Sequence, residues 1–566
     1  MEAKDYWKKY ESMVAYNSAF RPNKNYYESV KVWNDFYNGD QWTGLEGDQK
    51  LPHPVFNIIK RIIEFKIASL TTSDIAVNVE PLEYTSKPEG ELDNSDFLNA
   101  EIKNIFEKSN IKIKTKDVLL DGAVTGDMCF HTIFNPNKKP YRSYKDLLGE
   151  IEIETIDATN VGFGNANIRD VEKQPWIIIV GRDTVKNLKK EAKSRNENIK
   201  EDYDTDFQVS DFAKTEIDIE GDDEGKALYI YFYEKKDNKV YVTKCTKDAI
   251  IFENVNTGLT RYPVAFSNWY KQKNTFHGRG EVEGICPNQI AINKMFAMII
   301  YHQMMTAFPT AVYDKDMLAS WNNEIGSAIG LKGLAQSGRS IKDVAGYLEP
   351  ANMSDYIIKV IDLAFQYTKE CLGVSDASLG QIDPKNTSAI IAVQKSTAVP
   401  LANIKDNLYD LIEQEVMILI DMMSVKYGSR PVLMTTEDGT RQLVMFNFNQ
   451  LQGMDLKTSI DVGETSYYSE ISAVQTLDNL LQQDRIEFID YLERIPNELI
   501  PKKAELLTKL KEQIQMQQDM QAQQNQYEQM AQFLESLPPE QQEQIKALPP
   551  GQMEKTILDM MEGKVA

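Results

Sequence analysis

With 566 residues, 85 acidic side chains against 63 basic ones and a net charge of −22, the chain is long enough for several layers around a sizeable core. It is too acidic for tight, non-specific DNA binding, which needs a basic footprint to displace counterions, although an acidic protein can still surround DNA without gripping it. Four scattered cysteines (Cys129, Cys245, Cys286, Cys371) form no C-x-x-C, the N-terminus lacks signal-peptide features, and the most apolar run, 295–301, is far too short for a bilayer, so a soluble intracellular product with no membrane partner is expected.

Residues 1–45 read as helical and aromatic-rich, closed by a glycine turn at Gly39. Pro52 and Pro54 precede a helix running through Leu70, followed by a short strand over 76–80 and helices over 93–109 and 112–124. From Glu150 the period changes to two: Ile151, Ile153 and Ile156 alternate with acids, and 176–180 reads as a buried strand. Residues 190–226 are charged and irregular, with acid clusters at 201–206 and 218–224. An antiparallel meander then spans 227–233, 239–244 and 249–252, with Asp237-Asn238 as its first turn. The first 280 residues are therefore expected to form an α+β domain.

A long helix is expected over 282–308, tolerating Pro287 in its first turns and ended by Pro309. Residues 309–353 form a compact insertion rich in small residues. The helix expected over 354–372 places Ile357, Ile361, Ala364, Phe365, Thr368 and Leu372 on one face, with Ser354 as N-cap and Gly373 as stop. A loop of turn formers follows over 373–388, then a helix over 389–427 whose apolar face is Leu401, Ile404, Leu408, Ile412, Val416, Leu419 and Met423. Pro400 lacks an N–H and crowds the preceding turn, so a kink is expected there. Segments 432–434 and 442–446 flank Asp438-Gly439 as a hairpin. Residues 466–566 are helical and glutamine-rich. Met516, Met520, Gln523, Tyr527, Met530, Leu534 and Leu537 give that tail a coiled-coil-like seam, while its glutamine bias equally fits a disordered tail.

Motifs for chemistry are missing from this pattern. Residues 221–227 have the wrong spacing for a phosphate loop, and the four histidines (His53, His131, His277, His302) share no metal-ligand spacing. The acids at 218–224 do not match a calcium loop, and there is no G-x-S-x-G elbow. No catalytic residue, metal site or cofactor is expected, and the chain is read as a non-enzyme.

Four segments, in order, carry a resemblance. They are Phe36-Tyr-Asn-Gly-Asp-Gln-Trp42; Pro54-Val-Phe-Asn-Ile-Ile59; Gly278-Arg-Gly-Glu-Val-Glu283 before its helix; and Gly373-Val-Ser-Asp-Ala-Ser-Leu-Gly380 with Asn386-Thr-Ser-Ala389. With a small insertion between two helices and a proline-bearing helix after the loop, the chain resembles the portal (head-to-tail connector) proteins of tailed double-stranded DNA bacteriophages over roughly residues 25–470.

The resemblance implies a mainly helical α+β portal fold of wing, stem, clip and crown, assembled as a homo-oligomeric ring, a dodecamer in the family, through which double-stranded DNA passes. It assigns 1–280 to the wing with antiparallel strands about 150–266, 281–308 and 354–372 to the stem helices, and 309–353 to the clip. Residues 373–388 become the tunnel loop, 389–427 the kinked wing helix, 428–465 a wing β segment, and 466–566 a helical crown and tail. Implied partners are the packaging ATPase (large terminase), a tail adaptor, and the major capsid and scaffolding proteins. The implied location is the portal vertex of the virion, with assembly in the host cytoplasm. Ser375, Asp376, Gln381, Asp383, Lys385 and Asn386 would face the channel, and Lys332, Arg339 and Lys342 would be clip contacts for DNA or partners. Each basic residue among them reads as readily as an ordinary solvated side chain. A helical head–tail adaptor or scaffolding protein without a channel, and a nucleic-acid enzyme, remain the alternatives.

Overall fold

The computed structural model describes residues 2–21, 24–42, 52–71, 76–81, 94–139, 148–192, 226–307, 356–374, 399–435 and 441–461 (except 455), with parts of 311–348 and scattered positions of 467–534. The aromatic N-terminal stretch is two helices, α1 (Ala3–Ser18) and α2 (Tyr26–Asn38), and α2 stops at Gly39, whose φ of +104° lies in the left-handed region. Helix α3 (Ile58–Leu70) starts at Asn57, not at the upstream prolines: the Asn57 side chain accepts the Lys60 N–H at 3.0 Å. Strand β1 (Ala76–Pro81) and helices α4 (Asn94–Lys108) and α5 (Ile111–Thr125) follow.

The β structure begins earlier than the period change near 150 implies. Strand β2 (Asp127–Asn135) carries no alternation because its first six positions are all buried. It pairs antiparallel with β3 (Glu150–Thr155) on one side and β9 (Val264–Asn268) on the other. A second, five-stranded antiparallel sheet takes β4 (Val161–Phe163), β5 (Trp176–Thr184), β6 (Lys226–Lys236), β7 (Lys239–Cys245) and β8 (Ile250–Asn256) in sequence order. The β6–β7 turn uses Asp237 and Asn238 at φ +50° and +60°, the twist that matches flanking strands. Opposite faces of this sheet are covered separately. Tyr6, Trp7, Tyr10 and Met13 of α1 pack on Ile178, Val180, Leu228, Ile230 and Phe232. Helix α6 (Val185–Ala192), whose last three residues enter the stretch from 190 expected to be irregular, packs Val185, Leu188 and Ala192 on Ala227, Ala249 and Ile251.

Helix α7 (Glu281–Ala307) leads to the insertion, where β10 (Ala311–Tyr313) pairs antiparallel with β11 (Ala345–Tyr347) after the single-turn helix α8 (Ile341–Val344). Helix α9 (Tyr356–Cys371) returns, and α10 (Ala402–Lys426) runs through the core. The whole expected stripe of α10, from Leu401 to Met423, is buried, seven per cent exposed at most. Pro400 sits in a 3-10 turn, Val399–Leu401, just before α10, where a missing N–H costs no intrahelical bond. The part of the expected kinked helix upstream of Val399, 389–398, lies outside the described residues. Strands β12 (Ser429–Thr435) and β13 (Arg441–Asn447) form the hairpin, with its Asp438-Gly439 turn outside the described residues. Strand β14 (Leu456–Asp461) then pairs antiparallel with β1, Ala76 opposite Asp461.

The chain divides at Gly463 into two units. In the second, α11 (Tyr467–Gln482) and α12 (Phe488–Arg494) are joined by a Tyr491 hydroxyl that donates to Asp478. Of the tail's seam, Met516, Met520, Met530 and Leu534 are helical; Met516 and Met520 are exposed and Met530 is buried.

Glu415, fully buried on α10, accepts the Thr132 hydroxyl of β2 at 2.5 Å, and its other oxygen has no partner among the described residues. Burial pushes its carboxyl up from 4.5 to about 7. The folded state thus keeps a proton that the unfolded chain releases near 4.5, so stability falls as pH rises through this window and the loss is complete above about 7. The interval corresponds to about 3 kcal/mol. Glu415→Gln should flatten this contribution. The comparison is between main-transition melting temperatures at pH 5 and pH 8: the wild type should lose stability relative to the variant at the higher pH.

Candidate functional region: a helix pair and its junction

Helix α7 starts where glycines let two backbones touch. A β-carbon at Gly278 would lie 2.2 Å from the Gly126 carbonyl oxygen, and one at Gly280 would lie 2.6 Å from that of Val124, both at the end of α5. Only glycine fits there. The next residue, Glu281, is buried and receives three donors: Lys66 Nζ at 2.8 Å, Trp269 Nε1 at 2.9 Å and the Tyr270 hydroxyl at 3.1 Å. Two residues on, Glu283 meets Arg21 at 2.7 Å, Lys24 at 3.2 Å and Arg279 at 3.3 Å. The Gly278–Glu283 motif is therefore a junction that fixes α7 to α3, α5 and the chain between α1 and α2.

Asp127 and His277 complete the junction. His277 Nδ1 lies 2.6 Å from Asp127 Oδ2 and its Nε2 lies 3.0 Å from Asn17 Oδ1. Asp127 also accepts from Asn268 Nδ2, the Gly278 N–H and the Tyr26 hydroxyl. His131 is buried beside the Tyr233 hydroxyl at 2.9 Å, and burial lowers its pKa to about 3, which keeps it neutral. Both histidines are satisfied core groups.

The two earlier motifs converge on the same helix. Gln289 of α7 accepts the Ile58 N–H at 3.2 Å and donates to the Phe56 carbonyl at 2.8 Å. Asn293, one turn on, donates to Gln41 at 2.7 Å, while Gln41 donates to the Phe36 carbonyl at 2.9 Å. Asn57 donates to the Tyr37 carbonyl, and Trp42 Nε1 to the Pro54 carbonyl. Three of the four motif segments thus anchor the first half of α7, and their polar residues sit where periodicity cannot explain them.

Beyond Ala297 no residue of α7 is buried. Helix α9 runs back beside it, with Asn288 bonded to Thr368 and the Phe296 and Phe365 rings 6.1 Å apart. The face expected from the sequence contributes Ile361 and Thr368 to this contact, both buried. A second apolar stripe, Tyr356, Val360, Leu363 and Tyr367 at steps of four, three and four, was missed because the first accounted for a helix by itself; all four are 47–73% exposed. Met298, Tyr301 and Met305 make a matching exposed stripe on α7.

The insertion between the helices stacks Trp321 on Tyr313 and sets it edge-on to Tyr347. Lys332 and Lys342 are exposed there, Lys342 on α8, and Arg339 lies outside the described residues. The structure gives the two described lysines no shared site. Helix α9 ends in a Schellman motif: the Gly373 N–H bonds Glu370 O and the Val374 N–H bonds Lys369 O, both at 3.0 Å, with Gly373 at φ +67°. Pro400 packs so closely that a β-carbon on Gly373 would lie 2.8 Å from its ring. Ser375, Asp376, Gln381, Asp383, Lys385 and Asn386 lie between these two contacts and outside the described residues.

Among the described residues no group of three or more His, Cys, Asp or Glu side chains is placed to hold a metal ion, and no helix is long and apolar enough to cross a membrane. No curated protein matches the chain. Residues 13–558 match the phage P22-like portal protein family, a span that takes in every motif described above. The match covers nearly the whole sequence, and the chain belongs to the P22-like family of phage portal proteins.

Proposed function

We propose that the chain forms a closed ring at one capsid vertex, through which the genome enters, is retained and leaves. The observation that carries this reading is the uncovered double stripe on α7 and α9. A chain with net charge −22 leaves Met298, Tyr301, Met305, Tyr356, Val360, Leu363 and Tyr367 in solvent, and a neighbouring copy placed around a ring axis would cover them. In this reading α7 and α9 are the stem, residues 309–353 the clip that meets the packaging ATPase and later the tail adaptor, and the second unit the crown. Capsid and scaffolding proteins surround the ring, which assembles in the host cytoplasm. An acidic wall repels phosphates and lets DNA slide without a deep binding minimum.

Native mass spectrometry and negative-stain microscopy of the full chain test the ring. About twelve copies with a central hole are expected, since a heterologous interface that closes makes a ring. Monomers and dimers alone, at micromolar concentration in several salts, would sink it. The channel role of 375–386 is tested separately by deleting 376–386, which should leave rings intact and lower DNA content per particle in a complementation assay. Full-length genomes packaged and kept at normal efficiency would remove that role.

A further inference from the structure

The open stripes of α7 and α9 end in opposite charges. On α9 the steps of four, three and four from Tyr356 to Tyr367 are followed by a step of three to Glu370, also exposed. On α7 exposed Lys294 stands four residues before Met298, which gives that stripe the same four, three, four spacing through Tyr301 to Met305. No acidic or basic residue other than His302 stands on α7 beyond Lys294. On α9 Lys359 borders the stripe near its other end, with its ammonium 5.5 Å from the centre of the Tyr356 ring, and Asp362 and Lys369 lie farther round the helix. The two helices meet through Asn288 and Phe296 on α7, Phe365 and Thr368 on α9. At about 100° per residue, each stripe stands about 140° round its helix from that contact, so the two occupy opposite edges of the pair. Their heights agree as well. Phe296 and Phe365 are level in the antiparallel pair. Counting from them at about 1.5 Å per residue sets Met298 level with Leu363, Tyr301 with Val360 and Met305 with Tyr356. Lys294 comes level with Tyr367, three residues from Glu370.

We propose that the α9 stripe of each copy packs on the α7 stripe of the next, with Glu370 facing Lys294 across the contact. The inference rests on the ring reading and assigns that reading its two faces. Rotation about an axis running along the helix pair carries a copy sideways without changing its height, so level residues meet. The matched spacing then interleaves the two apolar rows, and the charges at their ends pair. A two-fold contact would set one stripe against itself, leave the other in solvent and keep Lys294 from Glu370. Two different faces joined head to tail are what a closed ring requires.

The test places Met298→Cys and Leu363→Cys separately in the full chain, in a background carrying Cys286→Ser and Cys371→Ser. Both sites are about half exposed in the single chain, so melting temperatures of the unassembled variants should agree. Mild oxidation of rings mixed from the two variants should link position 298 of one copy to position 363 of another, and rings of either variant alone should give no such dimers. Lys294→Glu should weaken pairwise association about fivefold at low salt, and adding Glu370→Lys should restore it. Mixed rings that give no link overturn the proposal and would mean that another protein covers the stripes. So does a Leu363→Cys variant that links to itself, the mark of a two-fold contact. Association unchanged by Lys294→Glu, or a loss that Glu370→Lys leaves unrecovered, overturns it too. A wild-type chain that forms no ring defeats the ring reading itself, an outcome distinct from these.

Discussion

Replacing Lys66 by methionine should lower the stability of the first unit by about 3–5 kcal/mol. The ammonium is 3% exposed and the Glu281 carboxylate 4%, so its removal leaves a charge that solvent does not reach. Trp269 Nε1 and the Tyr270 hydroxyl still donate to that carboxylate, but neither carries a charge. The double variant Lys66→Met with Glu281→Met should recover much of the loss, because removing both charges also removes their desolvation cost. Urea unfolding followed at the main transition, for both single variants and the double, supplies the cycle. If Lys66→Met alone costs less than about 1 kcal/mol, the pair does not anchor α7 in the way its geometry indicates.

The second large effect concerns assembly. Val360→Glu with Leu363→Glu places two charges on the outer stripe of α9, at positions 48% and 47% exposed in the single chain. Stability of the unassembled chain should move by less than about 0.5 kcal/mol per site. If a neighbour covers the stripe, the half of each side chain that is still exposed contributes about 0.7–1.5 kcal/mol to the contact. Losing both should weaken pairwise association roughly tenfold to a hundredfold at every subunit contact, and ring yield at micromolar concentration should fall sharply. Normal ring yield from the double variant would mean that this stripe faces something other than a second copy.

Legibility in the sequence followed burial. The stripe of α10, the meander and the Gly373 stop were readable because each pairs a strong local signal with one buried face or one required backbone geometry. Strand β2 was not, since Cys129, Phe130, His131 and Thr132 are all buried and a strand covered on both faces has no period. The pairing of β1 with β14 joins Val79 to Thr458, a register that no local pattern encodes. Gly278, Gly280 and Glu281 were visible as a motif, yet their reasons are close contacts with α5 and α3, segments far away in the chain. The second stripe of α9 was present in the spacing of Tyr356, Val360, Leu363 and Tyr367; a helix apolar on two sides signals two partners, and among the described residues only one of them is found.

The meeting of Gly373 and Pro400 has a bearing on how such chains change over generations. Because α9 and α10 touch where the intervening residues depart and return, those residues set no distance between the helices. Doubling the length of that intervening chain would add only about 0.6 kcal/mol of closure entropy if it is flexible. Insertions and deletions can therefore accumulate between these two contacts while every helix and sheet keeps its place, so this is where relatives should differ most in length.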